Sequence, residues 1–216
     1  VGESGLLVDF GDTIDDAIND RVVALDRALL ADPPVGLVET IPAYASLMLV
    51  FDPLVIAAKE LTDRAIALAE ANGGRAAVGR EYVVPICYEP PFAPDLAEVA
   101  KIVDRPIEEV VAVHLSGTYR VFMYGFAPGY AYMGGVPPML QLPRKPVAER
   151  GHPVGSVIIA GPQCLITTLA MPTGWWVIGR SPLKILNTDA ERPFLFDPGD
   201  TIKFERIGAA SLGDST

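Results

Sequence analysis

From residue 119 to 207 the chain carries no helical repeat. Apolar runs of strand length, at 120–124, 154–160, 165–169, 175–178, 183–186 and 201–207, are separated by turns rich in glycine and proline. Strands this short cannot bury a core in single hairpins, so they must assemble into a closed barrel or a sandwich. Two stretches of this region, GFAPGYAYMGG at 125–135 and PTGWWVIGRSP at 172–182, alternate glycine or proline with large aromatics. Glycine permits tight turns and close backbone approach, proline stiffens the loop, and the rings supply wide rigid contact area. Such segments predict a shaped binding surface.

The first eighty residues follow a different rule. A strand at Gly5–Phe10 leads into a helix with Ile14, Ile18, Val22, Leu25 and Leu29 on one face, ended by Asp32-Pro33-Pro34. Strands at 35–41 and 46–51 follow, then a helix over 57–71 stopped by Asn72-Gly73-Gly74. This is a small α+β unit, and residues 73–80 read as its exit linker, giving domains 1–80 and 81–216. The second domain opens with a strand at 81–88 and helices at 95–103 and 106–115, with Asp95 in the N-cap position of the first. That helical pair has the outline of a helix-turn-helix. It carries Asp95, Glu98, Asp104, Glu108 and Glu109 against Lys101 and Arg105, the wrong sign for a phosphate backbone. Residues 208–216 are small and polar, and fraying is expected there.

Half of the 216 residues are apolar and a fifth are charged, which describes a globular chain. Its apolar runs are far too short to span a bilayer, and the N-terminus lacks a signal-peptide pattern, so a cytoplasmic location is expected. Cys87 and Cys164 read as buried reduced thiols, and with His114 and His152 they give no metal-ligand spacing. The net charge of −10 argues against nucleic acid. It is unevenly spread: positions 110–186 hold Glu149 against Arg120, Arg144, Lys145, Arg150, Arg180 and Lys184. An anionic ligand would be met in this basic segment, unless its cations are simply solvated.

Arg144, Arg150 and Arg180 each adjoin a glycine or proline turn, where a guanidinium reaches either a ligand carboxylate or a surface partner. His114, at a helix C-terminus, suits either acid–base catalysis or an interaction with the helix dipole. His152 sits in a loop between Gly151 and Pro153, a candidate ligand contact or proton carrier. Gln163 follows the Gly161-Pro162 turn, placed to orient an amide or to serve the turn. Trp175 and Trp176 must point to opposite faces of a strand, so one belongs to the core and the other is exposed, lines a pocket or meets a partner. The candidate catalytic set is therefore His114, Arg144 and Gln163, and the candidate substrate-binding set is Tyr130, Tyr132, Arg150, His152, Trp176 and Arg180. Ser156 lacks nucleophile-elbow spacing, and neither a Walker motif nor a dinucleotide fingerprint is present.

Residues 125–135, Leu142-Pro143-Arg144, 154–163 and 172–182 together resemble a family known under several names: allophanate hydrolase subunit 1, the B subunit of 5-oxoprolinase, and the Kip inhibitor of sporulation kinase (carboxyltransferase subdomains C and D). The opening at 5–12 and residues 41–46 resemble that family's N-terminal domain. The resemblance implies a small α+β domain followed by a cyclophilin-like β-barrel. It also implies pairing with a homologue of allophanate hydrolase subunit 2, the C component of 5-oxoprolinase, and action on a small amide or carboxylate substrate. No cofactor is expected on this chain alone, with ATP or carboxybiotin entering in the complex. Inhibition of a sensor histidine kinase is the alternative that the same family implies.

Overall fold

The structure, a computed structural model, describes residues 2–71 and 79–212, so most of the linker expected at 73–80 lies outside the described residues. The chain divides into two compact units, Val1–Gly79 and Arg80–Thr216.

In the first unit β1 (Gly5–Asp9), β2 (Leu37–Pro42) and β3 (Ser46–Phe51) form an antiparallel sheet in the order β1-β3-β2, joined by α1 (Asp16–Ala31) and α2 (Ala58–Ala71). The Asp15 carboxylate accepts from the Ala17 and Ile18 amides and so fixes where α1 begins. Ile14 is consequently left outside the helix and exposed, although its spacing fits the apolar face. Val22, Leu25 and Leu29 pack against Leu47 and Leu49, the alternate residues of β3, and against Leu61 of α2. Asn19 is fully buried in α1 and donates through Nδ2 to the Ala43 and Tyr44 carbonyls, tying the β2–β3 turn to the helix.

The second unit contains β4 (Glu81–Cys87), α3 (Leu96–Ile102), α4 (Ile107–Ser116), β5 (Tyr119–Tyr124), β6 (Ala131–Gly134), β7 (Ser156–Ala160), β8 (Gln163–Ile166), β9 (Trp176–Arg180) and β10 (Thr201–Ile207). Its strands close into a seven-stranded barrel in the order β10-β4-β9-β7-β8-β6-β5, so no edge remains open. β10 closes the ring, pairing parallel with β4 and antiparallel with β5. The barrel interior is filled by residues such as Val121, Met133, Ile159, Ile166, Trp176 and Ile178, and α3 and α4 add Val99 and Val110 to the same core. The helix pair expected to resemble a DNA-binding motif is thus packed on the barrel. No described helix is long and apolar enough to cross a membrane.

The outer face of β7, β8 and β9 is buried too. Ile158, Ala160, Leu165 and Val177 form a second cluster with Tyr130 and Trp175, which explains why β7 is buried along its whole length and reads as an unbroken apolar run. Three expectations are corrected. Residues 183–186 form no strand: Leu183 donates its amide to Ser181 Oγ in a turn after Pro182, and an isolated bridge joins Leu186 to Phe194. The glycine–aromatic stretch is not all loop, since its second half is β6. Residues 209–212 form a 3-10 turn that buries Leu212 instead of fraying, and residues 213–216 lie outside the described residues.

Candidate functional site

A cavity of about 480 Å³ lies on the outer face of the barrel, with Ile158 of β7 and Leu165 of β8 as its floor. Its walls come from the β5–β6 turn and from two chain segments, 143–149 and 172–175, that run side by side. The Lys145 amide donates to the Gly174 carbonyl at 2.6 Å, and Glu149 and Thr173 exchange amide–carbonyl bonds of 2.9 Å in both directions. These bonds set Arg144 beside Trp175, with the guanidinium carbon 5.6 Å from the ring centroid. Tyr132 meets Trp175 edge to face at 6.0 Å. Burial pushes the Tyr132 phenol up from its ordinary pKa, and the Arg144 charge partly pulls it back. Phe126 stands at the rim, 74% exposed and with φ of +66°. A bulky side chain in the left-handed region is strained, and here the short β5–β6 connection imposes that strain through the Ala127 amide bond to the Gly125 carbonyl.

Beneath this wall lies an ion cluster built on a buried Lys145–Asp95 pair, with the exposed Glu149 at its edge. Lys145, its side chain 6% exposed, donates through Nζ to Asp95 Oδ2 at 2.9 Å and to Glu149 Oε2 at 2.8 Å. The same Asp95 oxygen accepts the Val177 amide at 2.6 Å, so one carboxylate joins the start of α3, strand β9 and the arginine-bearing loop. Desolvation works against the Lys145 cation, but the two carboxylates outweigh it and hold its pKa above the usual lysine value. Glu149 is correspondingly held below the usual carboxylate value by Lys145. Asp95 makes no side-chain N-cap bond, contrary to the sequence expectation, because its carboxylate is engaged in this cluster.

A second, smaller cavity of about 320 Å³ is lined by Arg150, His152 and Arg180 with Phe92 and Pro153. The expected site residues are therefore sorted into three groups. Tyr130, Tyr132 and Arg144 share the first cavity, and Arg150, His152 and Arg180 share the second. His114, Gln163 and Trp176 line neither.

His114 is wholly inside the barrel, its Nδ1 2.7 Å from the Tyr88 hydroxyl and its ring packed between Tyr119 and Phe204. Burial lowers its pKa to about 3, so it is a neutral core residue with no path to a substrate, and the acid–base role expected of it is corrected to a structural one. Trp176 faces the interior, not the cavities, and donates Nε1 to the Pro143 carbonyl at 2.8 Å, which positions the loop of Arg144. The two tryptophans do point to opposite faces, yet both are buried, because loops cover the outer face. Gln163 begins β8, where its backbone pairs with Ala160 and Gly134. Lys145 and Asp95 join the site although sequence reasoning does not place them in it, and Trp175 and Phe126 join it from the two glycine–aromatic stretches without having been in the candidate sets. The adjacency of Lys145 to Arg144 within one basic segment is the signal available for the first of them.

The chain is thus a small α+β unit followed by a closed seven-stranded barrel whose outer face carries an aromatic cavity with the Arg144 guanidinium at its wall. Residues 1–196 match the model of the carboxyltransferase domain, subdomains C and D, and the chain belongs to that family. It is 35% identical over 222 residues to the B subunit of 5-oxoprolinase from Bacillus subtilis (strain 168), covering 96% of this chain and 91% of that one. The crystal structure of TTHA0988 superposes with a TM-score of 0.84 at 35% identity over 94% of this chain, which spans about 40% of the length of that protein. The urea carboxylase of Kluyveromyces lactis shares the fold, with a TM-score of 0.73 at 20% identity over 97% of this chain and 21% of that one.

Proposed function

We propose that the chain is the B-type subunit of an ATP-dependent hydrolase of the 5-oxoprolinase kind, working with a second, C-type subunit. The observation that carries this reading is the first cavity, where Arg144 lies over Trp175 beside Tyr132. A small cyclic amide bearing a carboxylate suits such a place: its flat ring stacks on aromatic walls and its anion meets a guanidinium held over the Trp175 ring. The relationship to the B. subtilis protein along nearly the whole of both chains supports the same reading.

On this reading the residues of this chain bind and orient the substrate. Arg144 takes the carboxylate. Tyr132 and Trp175 fix the plane of the amide, and the Lys145 cluster keeps Arg144 in position. ATP or carboxybiotin enters in the complex with the partner. The test is reconstitution: the chain, the C-type subunit and their mixture are assayed for ATP-dependent release of glutamate from 5-oxoproline. Activity confined to complexes containing this chain supports the proposal, and a fully active partner preparation without it defeats the proposal.

A further inference from the structure

The second cavity has a composition that binding of a cyclic amide at Arg144 does not use. Arg150 and Arg180 line it, and no acidic side chain does. Among the described residues neither guanidinium forms an ion pair. Arg180 is held in place by its Nε bond to the Val154 carbonyl at 3.2 Å and by the Phe92 ring 5.9 Å from its guanidinium carbon. His152 is nine-tenths buried, and its Nε2 has no hydrogen-bond partner among the described residues. Glu149 Oε2 stands 3.9 Å from that nitrogen, beyond hydrogen-bonding reach, and is already engaged by Lys145.

Two uncompensated guanidiniums beside a buried imidazole with an unsatisfied nitrogen form a cradle for negative charge. The cations stand against a wall of Phe92, Pro91, Pro94 and Pro153, which lowers the local dielectric and strengthens their pull. A singly charged carboxylate would leave one guanidinium unneutralised, whereas a phosphoryl dianion matches both. The volume of about 320 Å³ lies at the small end of ligand cavities.

We propose that this cavity, formed by Arg150, His152 and Arg180, is a phosphate-binding site distinct from the Arg144 cavity, taking a phosphoryl group either as free inorganic phosphate or on a nucleotide. The proposal goes beyond the hydrolase function, and its test reads binding alone, so the two stand or fall separately.

The intact chain is titrated with inorganic phosphate at constant ionic strength by calorimetry, with AMP, ATP and acetate as separate arms. Saturable phosphate binding is expected, weakened about tenfold or more in Arg180→Gln and in Arg150→Gln, the loss corresponding to one charge-assisted contact. Lys184→Gln, which removes a cation outside both cavities, is expected to leave the affinity unchanged. Arg150 is on an exposed loop, so its variant keeps the fold, and a matching thermal melt verifies this for both arginine variants. Equal affinities for phosphate and the nucleotides assign the site to the free ion, and tighter binding of ATP or AMP assigns it to a nucleotide phosphate. Absence of saturable binding, equal competition by acetate, or unchanged affinity in both arginine variants overturns the proposal.

Discussion

Replacing Asp95 should weaken the barrel, because this one carboxylate satisfies two donors that are themselves buried. It accepts from Lys145 Nζ at 2.9 Å and from the Val177 amide at 2.6 Å, and its side chain is 10% exposed. Breaking a buried ion pair costs about 3–5 kcal/mol, and an amide left without an acceptor costs about 1–3 kcal/mol. Glu149 remains on Lys145 and offsets part of the first loss. Asp95→Ala is therefore expected to cost about 3–5 kcal/mol. Asp95→Asn, which keeps an acceptor for Val177, is expected to cost about 1–3 kcal/mol. The assay is urea unfolding followed by tryptophan fluorescence. Trp175 and Trp176 are the chain's two tryptophans and both belong to the barrel unit, so the signal reports on it alone. A loss below about 1 kcal/mol in the alanine variant, or equal losses in the two variants, refutes the assignment of Asp95 as the shared acceptor.

Three further outcomes are expected. His114 is neutral in the fold with a pKa of about 3, against 6.5 when free, so unfolding takes up a proton between those values and stability falls as the pH drops from 6.5 towards 3. The slope is up to about 1.4 kcal/mol per pH unit, so across that range the urea midpoint of wild type should fall relative to that of His114→Leu as the pH drops, and a difference between the two that does not change with pH would refute it. Gly155 has φ of +85°, and a Cβ there would stand 2.3 Å from the Ser181 carbonyl oxygen, so Gly155→Ala should cost more than about 2 kcal/mol in the same assay. A ligand in the first cavity should alter the fluorescence of Trp176→Phe, which retains Trp175, and leave that of Trp175→Phe nearly unchanged.

Periodicity makes the α+β unit and most barrel strands readable, because local spacing decides which face of Val22, Leu25 and Leu29 or of Leu47 and Leu49 meets the core. It fails where a contact distant in sequence takes over. Asp95 looks like a helix cap until Lys145, fifty residues on, claims its carboxylate. Residues 183–186 have strand-like composition, but the turn following Pro182 takes the Leu183 amide to Ser181. The candidate site is legible as a basic, aromatic segment. Its division into two cavities is not, since Arg144 and Arg150, six residues apart, line different cavities at the two ends of a segment held by long-range pairing with 172–175. His114 misleads for a related reason: a residue near the end of a helix is normally exposed, and here His114 shares with Val110 and Val111 the face of α4 that packs on the barrel.

The most direct measurement of the central claim is the turnover of Arg144→Ala, assembled with the C-type subunit and assayed for ATP-dependent 5-oxoproline hydrolysis. If Arg144 anchors the substrate carboxylate, kcat/KM falls by about a hundredfold, the scale of one lost charge-assisted bidentate contact, while the thermal melt and complex formation stay as in wild type. Turnover equal to wild type in a correctly assembled complex would contradict the placement of the substrate in this cavity.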